Sequence, residues 1–199
     1  ADDYTQYVNP FIGTDFTGNT YPGAQVPFGM VQLSPDNGLP GWDRISGYFY
    51  PDTTIAGFSH THLSGTGAGD LYDISFMPVT RPYKEAPAPL GVYSTFSHND
   101  EAASAGYYRV LLKDYNINVE LTATERCGVQ RYTFPKAEAS VFLNLKKAMN
   151  WDFTLDSYIE VVDSMTIRGY RFSQGWSPLQ HVYFETRFSK PFMACHMDT

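Results

Sequence analysis

Hydrophobic and polar positions fall into two regimes along the 199-residue chain. From Gly91 onward, short apolar runs recur between turn residues, at 107–113, 117–123, 127–134, 140–145, 158–162, 165–172, 181–188 and 192–197. Val119, Leu121 and Ala123 alternate with Asn118, Glu120 and Thr122, the period of a strand wetted on one side. Val182, Phe184 and Phe188 oppose His181, Glu185 and Arg187 in the same manner. Repeated strands at this spacing predict a mainly β chain, an antiparallel β-sandwich. The one helical stretch expected is short, 99–105, ended by Gly106.

Residues 1–90 read differently. NPFIGT, YPGAQVPFG and SPDNGLPGW are turn chemistry, in which Pro fixes φ and Gly supplies positive φ. Long Gly/Pro-rich loops joined by short strands are expected here, and such loops in a compact fold usually carry function. The proline-rich APAPLG at 86–91 reads as the link between the loop-rich and strand-rich zones. The whole of 1–199 is expected to form a single sandwich unit. Its last run, 192–197, stops without a capping element, as in a fragment whose remaining sheet lies elsewhere.

Composition narrows the function classes. Aromatic residues make up 16% and charged residues 18%, a balance that favours strands over helices. A net charge of −7 with scattered Lys and Arg argues against nucleic acid, whose phosphates need clustered cations. No apolar run approaches the roughly 18–20 residues that cross a bilayer. The opening ADDYTQ has neither an initiator Met nor a hydrophobic leader, as in a processed chain that is secreted, periplasmic or held at the cell surface. Cys127 and Cys195 are too few to fix a redox compartment, and Cys127 reads as a small buried residue within a strand.

The densest chemistry lies in GFSHTHLSGTGAGDLYDISFMP, 57–78. A strand over 58–63 would point His60 and His62 to one face, beside Phe58. The glycines at 65, 67 and 69 would let backbone N–H groups approach a ligand. Three roles for the histidine pair stand open: satisfied structural groups, metal ligands, or hydrogen-bonding partners of sugar hydroxyls. A cupin-like metal site would want a carboxylate where Gly65 and Thr66 stand. Asp70 and Asp73 are the local carboxylate pair, yet three residues apart on a strand they face opposite ways, and holding the glycine-rich run is their simpler role. Trp42, between glycine turns, reads either as an exposed platform for a sugar's C–H face or as a lid on the sandwich core. Trp176 is a weaker second, and Trp151 reads as core. The substrate-contact set is therefore Trp42, His60, His62, Gly65 and Asp70. No catalytic carboxylate and no metal ligand is assigned.

The runs YVNPFIGT (7–14), NTYPGAQVPFGMVQLSPD (19–36), GWDRISGYFYPDTTIAGFSHTHLSGTG (41–67), DLYDISFMP (70–78), LTATERCGVQRYTFP (121–135) and GWSPLQHVYFETRFSKPF (175–192) together resemble the start of family 92 glycoside hydrolases. One local departure is Gln130, where the family pattern leads to a histidine. The resemblance implies an inverting, calcium-dependent exo-α-mannosidase acting on terminal α-mannose of glycans. It further implies that this sandwich packs against a C-terminal helical barrel, absent from this chain, which holds the acid, the base and the calcium ligands. Two rivals remain: a stand-alone carbohydrate-binding module, and a purely structural sandwich that clamps the barrel.

Overall fold

The structure, a computed structural model, describes residues 2–65, 67–88, 90–148 and 150–197. Thr66 of the glycine-rich run and Pro89 of the proline-rich link lie outside them.

The chain is almost entirely strand and loop. A five-stranded antiparallel sheet runs in the order β1 (Ala24–Gln25), β2 (Gln32–Asp36), β4 (Gly57–Ser59), β5 (Ser75–Thr80) and β13 (Ala139–Asn144). A four-stranded sheet is built from β12 (Gly128–Thr133), β11 (Ile117–Ala123), β10 (Tyr107–Leu112) and β9 (Glu101–Ser104). A third sheet holds β14 (Phe153–Asp163), β15 (Thr166–Gln174) and β16 (Gln180–Arg187). Two small ribbons, β3 (Thr54–Ile55) with β8 (Ser94–Thr95) and β6 (Glu85–Ala86) with β7 (Gly91–Val92), close the loops.

Alternation decides which faces meet. In β10, Tyr108, Val110 and Leu112 turn inward. They stand opposite Leu121, Val119 and Ile117 of β11. These side chains form one core with Leu33, Phe58, Met77 and Val79 of the five-stranded sheet. Each such side chain removed from water contributes roughly 1.5–3 kcal/mol. β5 is buried along its whole length, as befits a strand covered on both faces. Its Phe76, with Ile74, joins Ile159, Ile167, Val182 and Phe184 of the third sheet in a second core.

The antiparallel sandwich expected from the alternation is what the chain forms. Three local expectations fail. The segment 99–105 is a 3-10 turn at His98–Asp100 followed by strand β9, whose pairing with β10 overrides local propensity. The run 192–197 forms no strand, since no partner strand lies beside it among the described residues, although Phe192 still packs on the second core. The strand expected over 58–63 stops at Ser59.

Candidate functional site

Because β4 ends at Ser59, His60 and His62 do not share an open strand face. His62 is 3% exposed. Its Nδ1 lies 2.8 Å from the Gln32 carbonyl, and its Nε2 lies 2.7 Å from Asp36 Oδ1 and 3.1 Å from Ser59 Oγ. Both ring nitrogens are thus engaged within the chain, and neither is left for a ligand. Lys147 Nζ stands 3.4 Å from Asp36 Oδ2 and donates to the Ala56 carbonyl at 3.3 Å. Burial alone would raise the Asp36 carboxyl, but Lys147, His62 and the hydrogen bonds from His62 and Ser59 hold it below the usual carboxylate range. Burial draws the Lys147 ammonium down, against the pull of Asp36.

His60 is half-buried. Its Nδ1 donates to the Ile74 carbonyl at 2.8 Å, and its ring meets the edge of Phe76. Burial lowers its pKa. Its other face lies against Gly128, where a Cβ would come 2.5 Å from the ring. His62 thus lies beneath the surface, whereas His60 is held by the Ile74 carbonyl at a partly exposed position.

The segment that follows is not the strand entry expected of DLYD. Leu71, Tyr72 and Ile74 adopt φ of 85°, 58° and 55°, left-handed values that non-glycine residues hold only when neighbours over-determine them. Asp73 supplies part of that hold: it accepts from Arg171 at 2.6 Å and from Thr61 Oγ1 at 2.6 Å. Asp70 is 2% exposed and does something separate. Its Oδ2 accepts the Trp176 amide at 2.6 Å and Gln180 Nε2 at 3.0 Å, which fixes the β15–β16 turn. Its Oδ1 has no hydrogen-bond partner. Gly175 makes room for it, since a Cβ there would stand 2.3 Å from Oδ1. Gly65 is exposed at φ 87°, its N–H donating to the Asn19 carbonyl at 2.7 Å, with open space where a side chain would project.

The exposed surface above these buried groups is aromatic. Trp42, on the 3-10 turn Trp42–Arg44, is 52% exposed and stacks on Trp151, 44% exposed, with ring centroids 6.3 Å apart. A bidentate Arg44–Asp52 pair, both bonds 2.6 Å, steadies this turn, and the guanidinium lies over Phe49. Asn150 ties the two tryptophan segments together: its Oδ1 accepts the Gly41 amide at 3.0 Å, and its side chain packs against Gly69. Trp176 is 80% exposed beside the Asp70 anchor. A shallow depression of about 380 Å³, lined by Lys146, Ala148, Phe153 and Asp156 among others, opens beside the Trp151 connection.

Sequence reasoning missed Trp151, which it placed in the core, and Asn150, Lys147 and Arg171. Arg171 did leave a signal: it occupies an inward position of β15, in register with Ile167 and Ser173. Cys127 is exposed and precedes β12, contrary to expectation, and Cys127 and Cys195 are both free. Calcium takes six to eight oxygen ligands. Among the described residues no group of three or more His, Cys, Asp or Glu converges to hold a metal ion. No helix among the described residues is long and apolar enough to cross a membrane.

Taken together, sheets and loops define an antiparallel sandwich that presents its exposed tryptophans from connecting segments. The profile of the glycosyl hydrolase family 92 N-terminal domain matches residues 7–197, and the chain belongs to that family. It is similar to the family GH92 alpha-mannosidase of Bacteroides thetaiotaomicron solved alone and with mannoimidazole: 42% identity, TM-score 0.90, covering 96% of this chain and 26% of that one. An inverting mannosidase of the same family and organism shares the fold at TM-score 0.67 and 24% identity, over 96% of this chain and 30% of that one. A protein of Arthroderma benhamiae described as an uncharacterized secreted glycosidase is 29% identical over 146 residues, 69% of this chain and 18% of its own length. The chain therefore spans about a quarter of the solved mannosidase, at 26%, and less of the secreted glycosidase.

Proposed function

We propose that this chain is the N-terminal sandwich of a secreted, inverting exo-α-mannosidase that hydrolyses terminal α-mannose from glycans. It packs on a C-terminal helical barrel that supplies the general acid, the general base and the calcium site. Its contribution is one wall of the sugar pocket. Trp42 offers the stacking face, Gly65 lets a hydroxyl approach the backbone, and Asp70 sets the turn that carries Trp176. His60 and His62 act from below, holding the segments that bear these groups.

The single observation that carries the reading is the gathering of exposed tryptophans around the glycine-rich run, in a chain of this family. Asn150 joins the Trp42 and Trp151 segments at Gly69, and Asp70 joins the next residue of that run to Trp176. Inverting glycosidases need two carboxyl groups about 6.5–9.5 Å apart flanking a water. Asp70 and Asp73 are both buried and engaged in fixing backbone, so the reacting pair is sought in the barrel. The test compares mannose release from 4-nitrophenyl α-mannoside by this chain and by the longer polypeptide that continues into the barrel. Release is expected from the longer polypeptide alone, and only with calcium. Calcium-dependent turnover by the 199-residue chain would overturn the assignment.

A further inference from the structure

Arg171 is a fully buried guanidinium in the middle of β15. All three of its nitrogens are used. Nε donates to the Leu145 carbonyl and to Thr154 Oγ1, both at 3.1 Å. Nη1 donates to the Leu71 carbonyl at 3.2 Å and to Asp73 Oδ1 at 2.6 Å. Nη2 donates to the Lys147 carbonyl at 2.8 Å and to Asp152 Oδ2 at 3.4 Å.

These acceptors belong to two stretches far apart in sequence. Leu71 and Asp73 sit in the left-handed segment just after Asp70. Leu145, Lys147 and Asp152 sit in the connection between β13 and β14 that carries Asn150 and Trp151. One planar group with fixed donor directions therefore sets the separation between the Asp70 anchor of Trp176 and the Trp42–Trp151 stack. Stability alone gives no reason for a buried ion here, because an apolar replacement of similar volume often does as well or better. The neighbouring inward positions, Gly169 and Ser173, are uncharged, and Ile167 beyond Gly169 is apolar.

We infer that Arg171 is a positioning residue for sugar binding: it holds the two tryptophan-bearing walls at the spacing a saccharide needs. The inference rests on the reading that these walls take sugar.

The test uses the longer, catalytically complete polypeptide and steady-state kinetics on 4-nitrophenyl α-mannoside, with concentrations counted as folded enzyme. Arg171→Lys keeps the charge but cannot reach both stretches, so KM is expected to rise about 10-fold with kcat changed far less. Trp42→Ala and Trp151→Ala should each raise KM, and neither should add its full effect in the Arg171→Lys background. If the tryptophan variants raise KM while Arg171→Lys leaves it unchanged, Arg171 only stabilises the fold and the inference is overturned, with the sugar-wall reading intact. If none of the three moves KM, the walls do not take sugar and both fall. Should Arg171→Lys fail to fold, Thr154→Val removes one acceptor of Nε together with the hydroxyl's own bond to the Leu145 carbonyl. A KM raised about 2- to 3-fold then supports the inference, and an unchanged KM overturns it.

Discussion

Asp36 shows how one residue can organise a surface it never reaches. Its carboxylate lies between the imidazole of His62 and the ammonium of Lys147, all three buried. Removing one partner from such a group leaves uncompensated charge away from water. Asp36→Asn is expected to destabilise the chain by about 3–5 kcal/mol, read from urea unfolding. The same group gives a pH dependence. Its folded pKa is depressed, so its stabilisation is complete above the unfolded carboxylate value of about 4 and is lost as pH falls through the depressed folded value. The urea midpoint of the native chain should therefore drop in acid more steeply than that of Asp36→Asn. None of this was legible from residue type. Asp36 stands in a run of turn residues where an Asx turn is the default, and Lys147 beside Lys146 reads as solvated charge. What places them together is pairing between segments about a hundred residues apart, which local pattern does not encode. His62 is the instructive case: its spacing from His60 suggested a shared face, but the strand that would have created one ends three residues earlier.

Among the elements, the β10–β11 hairpin was the most readable, because one face is dry and the other wet. Its inward residues pair across the strands, Val110 with Val119 and Tyr108 with Leu121. Its outward Glu120 is held by Arg131 and Tyr107. Leu121→Ala should destabilise by about 2–5 kcal/mol through the cavity it leaves. Arg109→Ala, on the exposed side of β10, should stay within about 0.5 kcal/mol. Calorimetric melting of the two variants distinguishes them. The elements that escaped the pattern are those whose state depends on a neighbour. β9 becomes a strand because β10 offers it an edge, although its Glu-Ala-Ala-Ser sequence favours helix. β15 resisted reading in another way: an arginine stands on its inward face between Gly169 and Ser173, and that buried cation joins two loops.

At the scale of the molecule, two cores flank β5 and leave the loop-bearing end free to carry function. The rival reading, a stand-alone carbohydrate-binding module, differs here in a measurable way. An interdomain wall offers a saccharide only part of its contacts, so isothermal titration of this chain with α-mannobiose should show no heat of binding. The longer polypeptide made inactive in its barrel should show it. Binding by the short chain would favour the module. The sandwich itself was legible because alternation recurs along half the chain. The site was only partly legible: Trp42 stands between glycine turns, whereas Trp151 sits in a stretch of mixed polarity, next to the Asn150 that accepts the Gly41 amide.

All three tryptophans of the chain are among these exposed residues, and neither apolar core contains one. Intrinsic fluorescence of this polypeptide is therefore a local optical signal from the loop-bearing end. Chemical unfolding, which separates the cores, should shift the emission little, because the indoles already meet solvent in the native state. A barrel docking over that end would dry all three at once and move the emission to the blue, so assembly of the enzyme can be followed without any added label.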